Sequence, residues 1–224
     1  MHPARIAELL EPFLGPAKDQ RLATNDLEHI STYIDLLLRW NARINLTAIR
    51  DPDQIVTRHF GESLFAARHL FPNPSASSAL SAVKSSTVAD LGSGAGFPGL
   101  PIKLWAPDIS LTLVESHHKK AAFLREVTRA LTLTDVNIQC ARAETLAPAS
   151  FAVVTLRAVE RFQSMLPVAA RLVAPGGRLA LLIGSAQFDH ARSSLPNLAW
   201  AAPQPVPLSR SRVLAIAYRP ATDA

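Results

Sequence analysis

The sequence predicts an α/β chain: a mostly parallel seven-stranded sheet with an antiparallel edge, preceded by a helical extension. Two observations carry that reading. From residue 87 onward, short apolar runs of strand length alternate with helix-length segments, the pattern of a sheet with helices on both faces. Before residue 70 the apolar residues recur only at helical spacing. The division expected is a helical extension over 1–70, a linker over 71–86 and an α/β domain over 87–224.

The elements follow in order. Asn25 and Glu28 suggest a capping box, and behind them Ile30, Ile34, Leu37, Leu38 and Trp40 repeat as one helical face. Asp51-Pro52 should start a second helix, with proline at its first position and an apolar stripe of Ile55, Val56, Phe60, Leu64 and Ala67. Between them lies the polar stretch WNARINLTAIRD. Residues 71–86, rich in Ser, Pro and Ala, read as a surface linker. Strands are then expected at Thr87–Leu91, Ser110–Val114, Val136–Gln139, Phe151–Leu156, Arg178–Ile183, Leu198–Val206 and Arg212–Tyr218. Helices should fill the gaps: one ending near Trp105, then Lys119–Leu131, Arg161–Val173 and Gln187–Leu195. The last two strands suit an antiparallel edge.

Composition bounds the function. The 224 residues carry a formal charge of +5, and of 23 basic residues only five are lysine. Arginine grips phosphates bidentately and stacks on bases, so nucleic acid is a plausible partner, although a GC-rich genome produces the same bias. Cys140 is the only cysteine, which excludes an internal disulfide and thiolate zinc sites, and no metal site is expected. The N-terminus does not read as a signal peptide, and no apolar run approaches the roughly 20 residues of a membrane span. A soluble, cytoplasmic protein is expected.

The chemistry concentrates in VADLGSGAGFPGL, residues 88–100. Gly94, Gly96 and Gly99 satisfy G-x-G-x-x-G on a strand–turn–helix, which alone is a weak signal for a dinucleotide. Asp90, just before the loop, shifts the choice. A carboxylate there repels a pyrophosphate and attracts the ammonium and sulfonium of S-adenosylmethionine. Gly92, Gly94 and Gly96 would let the backbone approach that ligand. Glu115, 21 residues beyond Gly94, ends the second strand and can accept both ribose hydroxyls of either cofactor. Glu144 is either an adenine neighbour or a solvated loop carboxylate.

In methyl transfer, positioning and desolvation do much of the work. Cys140 is poorly placed for a pyrimidine-carbon nucleophile and reads as a small core residue. The Asn- or Asp-Pro-Pro-aromatic tetrapeptide used on base amines is absent; the fourth strand runs instead into Arg157-Ala158-Val159-Glu160. A fixed cation at Arg157 suits guanine, whose O6 and N7 are acceptors, or a phosphate; the alternative is an ion pair with Glu160 or Glu144. His117 and His118 read as a surface pair, and Lys119, Lys120, Arg125 and Arg129 as a basic face able to meet RNA phosphates.

DLGSGAGFPGLPIKLWAPD, ESHHKKAAFLREV, RAE at 142–144, LRAVE at 156–160 and WNARINLTAIRDPDQIVTRHFGESL together resemble the bacterial small-ribosomal-subunit RNA methyltransferase G family, also called glucose-inhibited division protein B. The similarity spans roughly residues 20 to 190. It implies a class I methyltransferase (Rossmann-like) fold with a helical N-terminal extension, giving an S-adenosylmethionine-dependent methyltransferase domain over 87–224, and methyl transfer to N7 of a guanine in 16S ribosomal RNA, free or in the small subunit. A monomer is expected, apart from the resemblance. It further implies cofactor contacts from Gly92 and Phe97, Ala143 and Glu144 flanking the adenine, and Arg157 at the junction of cofactor and target base. Asn45, Arg58 and His59 would lie near the pocket mouth as RNA-contacting residues, with Lys119 and Arg125. The chain departs from the family where Leu182-Ile183-Gly184 replaces Leu-Lys-Gly, where Phe151-Ala152 replaces Phe-Asp, and where the two histidines replace a Leu-Gly-like pair. Three other readings stay open: a small-molecule methyltransferase, an RNA-binding assembly factor without turnover, which Ile183 favours, and a nicotinamide dehydrogenase.

Overall fold

The computed structural model describes residues 1–15, 22–72, 86–157 and 162–221. Most of the predicted linker, residues 73–85, and Glu160 lie outside them. Eight strands form one sheet: β1 (Thr87–Leu91), β2 (Ser110–Val114), β3 (Val136–Gln139), β4 (Phe151–Arg157), β5 (Val173–Gly184), β6 (Ala199–Trp200), β7 (Gln204–Pro205) and β8 (Arg212–Tyr218). The order is β3-β2-β1-β4-β5-β8-β6, with β7 also paired to β8. The first five strands are parallel, and β8 runs antiparallel between β5 and β6. Parallel order with β1 at the centre brings the C-terminal ends of β1, β2 and β4 to one edge, where such sheets bind ligands.

Side chains alternate across the sheet, as the pleat requires. Val88, Leu111, Leu113, Val153, Ala180 and Leu182 face one layer; Ala89, Leu91, Val154, Leu156, Leu181 and Ile183 face the other. The first layer is covered by helices Pro3–Leu14, Thr24–Asn41, Gly99–Trp105 and His118–Ala130, and by a long helix from Pro52 to Leu70. The second is covered by Phe162–Leu172 and Phe188–Ser194. The N-terminal helices therefore share one apolar core with the sheet: Ile6, Ile34 and Phe60 join Leu100 and Leu124 in it, all fully buried. Ile183, at the departure from the family, is buried in the second layer.

Three local expectations change. The helix at 24–41 starts earlier than Asn25 and Glu28 implied: Ala23 is its N-cap, and the Asp26 carboxylate accepts the Ala23 N–H at 2.7 Å. The strand expected at Leu198–Val206 is split into β6 and β7. Trp200 pairs with Ala217 and Gln204 with Leu214, so residues 201–203 stand opposite only 215 and 216. Pro203 lacks the N–H needed to continue the ladder, and the extra residue bulges. β5 begins at Val173, before its predicted start, because Val173 already pairs with Phe151.

The long helix starts as the sequence indicates. Asp51 caps it by accepting Gln54 N–H at 2.8 Å, and Pro52 is its first residue. It then changes pitch. Pro52–Ile55 passes into a π-helical stretch, Val56–Gly61, and returns to α-helix at Glu62–Leu70. In this widened stretch Glu62 N–H bonds to His59 O, and the Arg58 carbonyl accepts from the Arg157 side chain.

Candidate functional site

An open cleft of about 680 Å³ lies at the C-terminal edge of β1, β2 and β4. It is walled by the glycine loop (Gly92, Ser93, Gly94, Ala95, Phe97), by Glu115, by Ala143 and Glu144, and by Arg157. Thr47 and His59 close it from the N-terminal helical segment. The volume suits a nucleoside-sized ligand.

The loop is held by its own backbone. Gly92 and Ser93 N–H both donate to Val114 O, at 2.9 and 3.1 Å, and Gly96 N–H donates to Ser93 O at 2.6 Å. Gly94 N–H donates to Glu115 Oε2 at 2.9 Å. Gly92, Gly94 and Gly96 all have positive φ. Gly96 tolerates no side chain, since a Cβ there would lie 2.2 Å from the Tyr33 hydroxyl, which itself donates to Ala95 O. A pyrophosphate is normally cradled by loop and helix N–H groups. Here the amides of Gly92, Ser93, Gly94, Gly96 and Gly99 are spent, so the loop offers little to a dinucleotide.

Asp90 is placed differently from the expectation. Its carboxylate is fully buried and does not line the cleft. Oδ2 accepts Gly99 N–H at 3.2 Å and Oδ1 accepts the Thr155 hydroxyl at 2.8 Å. Direct contact with a cofactor ammonium is thus corrected to a role behind the loop: Asp90 ties the turn to β4 and fills the helix start with negative charge. In the pleat its side chain leaves on the same face as Val88, toward the following helix, not along the strand axis. Burial pushes this carboxyl up to about 6, against the hydrogen bonds from Thr155 and Gly99 that hold it down.

Glu115, expected as a ribose acceptor, lines the cleft. It is buried at the end of β2, with Oε1 accepting His117 N–H at 2.7 Å and Oε2 accepting Gly94 N–H. Each carboxylate oxygen keeps a lone pair for a diol. Ala143 is buried and Glu144 exposed on a 3-10 turn, Ala143–Thr145, beside it. These are the features an adenosine moiety requires: a diol acceptor, a small apolar wall and a glycine edge.

The opposite wall is a buried charge cluster. The Glu62 carboxylate, 2 % exposed, lies 3.3 Å from Arg58 Nε, 3.4 Å from Arg157 Nη2 and 3.1 Å from Arg212 Nε. Arg157 Nη2 also donates to Arg58 O at 2.6 Å and to His59 Nδ1 at 3.0 Å. Arg157 is ion-paired with Glu62, a partner the sequence reading did not name; Glu144 is exposed on its 3-10 turn, and Glu160 lies outside the described residues. Burial pulls the Arg157 guanidinium down to about 10 while Glu62 holds it up, so it stays charged at neutral pH. His59 is pushed down to about 3, first by burial and then by Arg157, Arg58 and Arg212. Its ring stacks on Phe97 at 4.8 Å, and Phe97 stacks on Tyr33 at 5.3 Å.

Other predicted contacts fall outside the cleft. Gly96 stands behind it, and Arg58 is on its flank with a half-exposed side chain. Lys119 and Arg125 are exposed on the helix His118–Ala130, whose Lys120 is the residue that reaches the cleft. Asn45 is exposed, and Thr47, two residues on, takes the cleft position. Cys140 is not a core residue: it is partly exposed, with Sγ 3.2 Å from His118 Nδ1. The residues that sequence reasoning missed are Thr47, Glu62 and Arg212. Thr47 and Glu62 stood inside the quoted motif, and Arg212 carried no signal. Among the described residues no group of three or more His, Cys, Asp or Glu side chains is arranged to hold a metal, and no helix is long and apolar enough to cross a membrane.

Comparison with known proteins agrees with this geometry. A profile described as rRNA small subunit methyltransferase G matches residues 26–200. The chain is 41 % identical over 171 residues to the ribosomal RNA small subunit methyltransferase G of Halorhodospira halophila, covering 76 % of this chain and 75 % of that one. It is 40 % identical over 174 residues to the protein of the same name from Roseiflexus castenholzii, covering 75 % and 70 %. Among solved structures, a ribosomal protein L11 methylase from Lactobacillus delbrueckii aligns with TM-score 0.57 at 16 % identity over 72 % of this chain and 79 % of that one. A SAM-dependent methyltransferase from Aquifex aeolicus aligns with TM-score 0.50 at 14 % identity over 59 % and 81 %. These two show the fold.

Proposed function

The chain belongs to the rRNA small subunit methyltransferase G family, and from that premise we propose that it transfers a methyl group from S-adenosylmethionine to N7 of a guanine in small-subunit ribosomal RNA. The observation that carries this reading is the cleft itself. One wall is made for an adenosine, by Glu115, Ala143 and a glycine loop whose amides are already bonded. The other wall is polar, and is made by the N-terminal segment through His59 and Thr47 together with Arg157.

S-adenosylmethionine supplies a methyl on a sulfonium; the bonding electrons stay with sulfur and the positive charge passes to the purine. The residues of this chain bind and orient. Glu115 holds the ribose diol, Gly92 and Gly94 give backbone access, Phe97 forms the apolar floor, and Ala143 and Glu144 flank the adenine. Guanine N7 keeps a lone pair at neutral pH, so no general base is needed. That agrees with a His59 whose Nδ1 is already occupied by Arg157. Arg157 borders the target base, fixed there by Glu62 and the Arg58 carbonyl. Arg58, Lys119, Lys120 and Arg125 supply positive charge around the mouth for the RNA backbone. We infer a cytoplasmic site of action from the proposed ribosomal RNA substrate.

The test is transfer of labelled methyl from S-adenosylmethionine to small subunits or their extracted RNA, followed by chain cleavage specific for N7-methylguanine. One cleavage position is expected. Label in a small molecule only, or RNA binding without label, would overturn the reading.

A further inference from the structure

The stretch between the helix Thr24–Asn41 and Asp51 is short and has no repeating structure, yet one of its residues is held unusually firmly. Asn41, 4 % exposed, clamps Thr47 by its backbone. Asn41 Oδ1 accepts Thr47 N–H at 3.1 Å and Leu46 N–H at 2.9 Å, and its Nδ2 donates to Thr47 O at 2.8 Å. Reversing the amide would break all three bonds, so its orientation is determined.

The Thr47 hydroxyl is fixed as well, by a chain of donors. An arginine can only donate, so His59 Nδ1, 3.0 Å from Arg157 Nη2, must accept. The neutral ring then carries its proton on Nε2 and gives it to Thr47 Oγ1 at 2.8 Å. Ile49 N–H donates to the same oxygen at 3.1 Å. A hydroxyl oxygen has two lone pairs, and both are taken. What remains is one proton, on a side chain that lines the cleft, with no acceptor among the described residues. Arg157 Nη2 already serves Arg58 O and His59.

We propose that the Thr47 hydroxyl is the guanine-specifying group of this site, donating its proton to O6 of the target base. The proposal rests on the functional reading above and deepens it. A group that can give but not receive accepts guanine, with its O6 acceptor, and rejects adenine, which presents an N6 amino donor at the same place. The rejection is strong when a buried donor would be left facing another donor. A neutral donor also suits the chemistry: the ring becomes cationic as N7 is methylated, and a hydroxyl marks O6 without adding a second positive charge. His59 and Arg157 act here as positioning residues, fixing which way the hydroxyl points.

The experiment first maps the methylated guanine with the wild-type protein, then compares RNAs carrying guanine, inosine or 2-aminopurine at that position. Inosine keeps O6; 2-aminopurine lacks it and keeps N7. Single-turnover methyl transfer is measured for wild type, Thr47→Val and Thr47→Ser, with S-adenosylmethionine affinity measured by calorimetry. For the wild type, 2-aminopurine should react roughly 10-fold slower than guanine, and inosine should stay close to guanine. Thr47→Val should slow guanine by a similar factor and bring the guanine-to-2-aminopurine ratio near one, with cofactor affinity unchanged. Thr47→Ser should restore the ratio. A Val variant that slows both bases equally and keeps the wild-type ratio overturns the proposal, and so does a wild type indifferent to O6 should the Val variant not fold. If the wild type methylates no guanine N7 at all, the functional reading fails and takes this inference with it.

Discussion

Two buried groups beside the cleft oppose each other in acid, and removing either should expose the other. Asp90 is pushed up to about 6 from its ordinary 3.8, chiefly by burial. Between those values the folded chain holds a proton that the unfolded chain has released, so Asp90 makes the protein less stable as pH rises from 4 to 6. His59 is pushed down to about 3 from 6.5, by burial and three arginines. Over the same range the unfolded chain holds the proton, so His59 makes the protein less stable as pH falls. Linkage at about 1.4 kcal/mol per proton per pH unit gives about 2 kcal/mol for each group between pH 6 and pH 4, with opposite signs. The two contributions nearly cancel in the wild type. The assay is urea unfolding of wild type, Asp90→Asn and His59→Gln at pH 4 and pH 6. Relative to wild type, Asp90→Asn should lose about 2 kcal/mol more stability on acidification, and His59→Gln should lose about 2 kcal/mol less. Every other titrating group drops out of these differences. Variants whose stabilities simply run parallel to wild type across the two pH values would refute the burial argument for both residues.

Glu115→Ala should weaken S-adenosylmethionine binding roughly 10- to 100-fold in calorimetry, because a charged acceptor of two hydroxyls is lost. Gly96→Ala combines a φ of +88° with a Cβ 2.2 Å from the Tyr33 hydroxyl, and should lower stability by at least about 2 kcal/mol in urea titrations. Glu62→Gln leaves three arginines without their shared carboxylate. It should cost about 3 kcal/mol of stability, read as a shifted unfolding midpoint, a loss that Glu62→Asp should only partly share.

Much of this architecture was legible because the sheet is buried on both faces. A strand covered on both sides reads as a largely apolar run, so the bounds of β1, β2 and β8 match the sequence expectation; those of β3, a part-exposed edge strand, match through the alternation of Val136-Asn137-Ile138-Gln139. The edge was less legible, since Pro203 splits a run that composition alone could not divide. At the site, the pattern that fixes strand ends put Glu115 on the cleft, whereas Ala143 was put there by the resemblance alone. Asp90 was misread for a geometric reason: a pleat sends alternate residues to opposite faces, and proximity in sequence to the loop said nothing of direction. Thr47 escaped because no period governs the loop around it, and Glu62 because a helical period does not say which distant residues a carboxylate on it will meet. The motif located the segment, but which of Asn45 and Thr47 enters the cleft depends on the Asn41 clamp, and the partners of Glu62 come from residues 58, 157 and 212.

The π-helical stretch explains why the N-terminal helices belong to the site and are more than a cover over the sheet. In a regular α-helix the Arg58 carbonyl would accept from Glu62 N–H. Here Glu62 N–H turns to His59 O, and the Arg58 carbonyl is released to Arg157. The same widening presents His59 to Arg157 and to Thr47, and sets the Glu62 carboxylate under all three arginines. Such insertions in helices are rare and concentrate at functional sites, since each gives up regular hydrogen bonding. The loss is offset here by a charged hydrogen bond from β4, the strand that also delivers Arg157 to the sheet edge. The catalytic wall therefore exists only when the N-terminal helix and the sheet are packed together. An arginine on a free sheet edge would be solvated and mobile; held by Glu62 and a carbonyl from another part of the chain, it becomes a fixed element that can orient a histidine, and through it a hydroxyl.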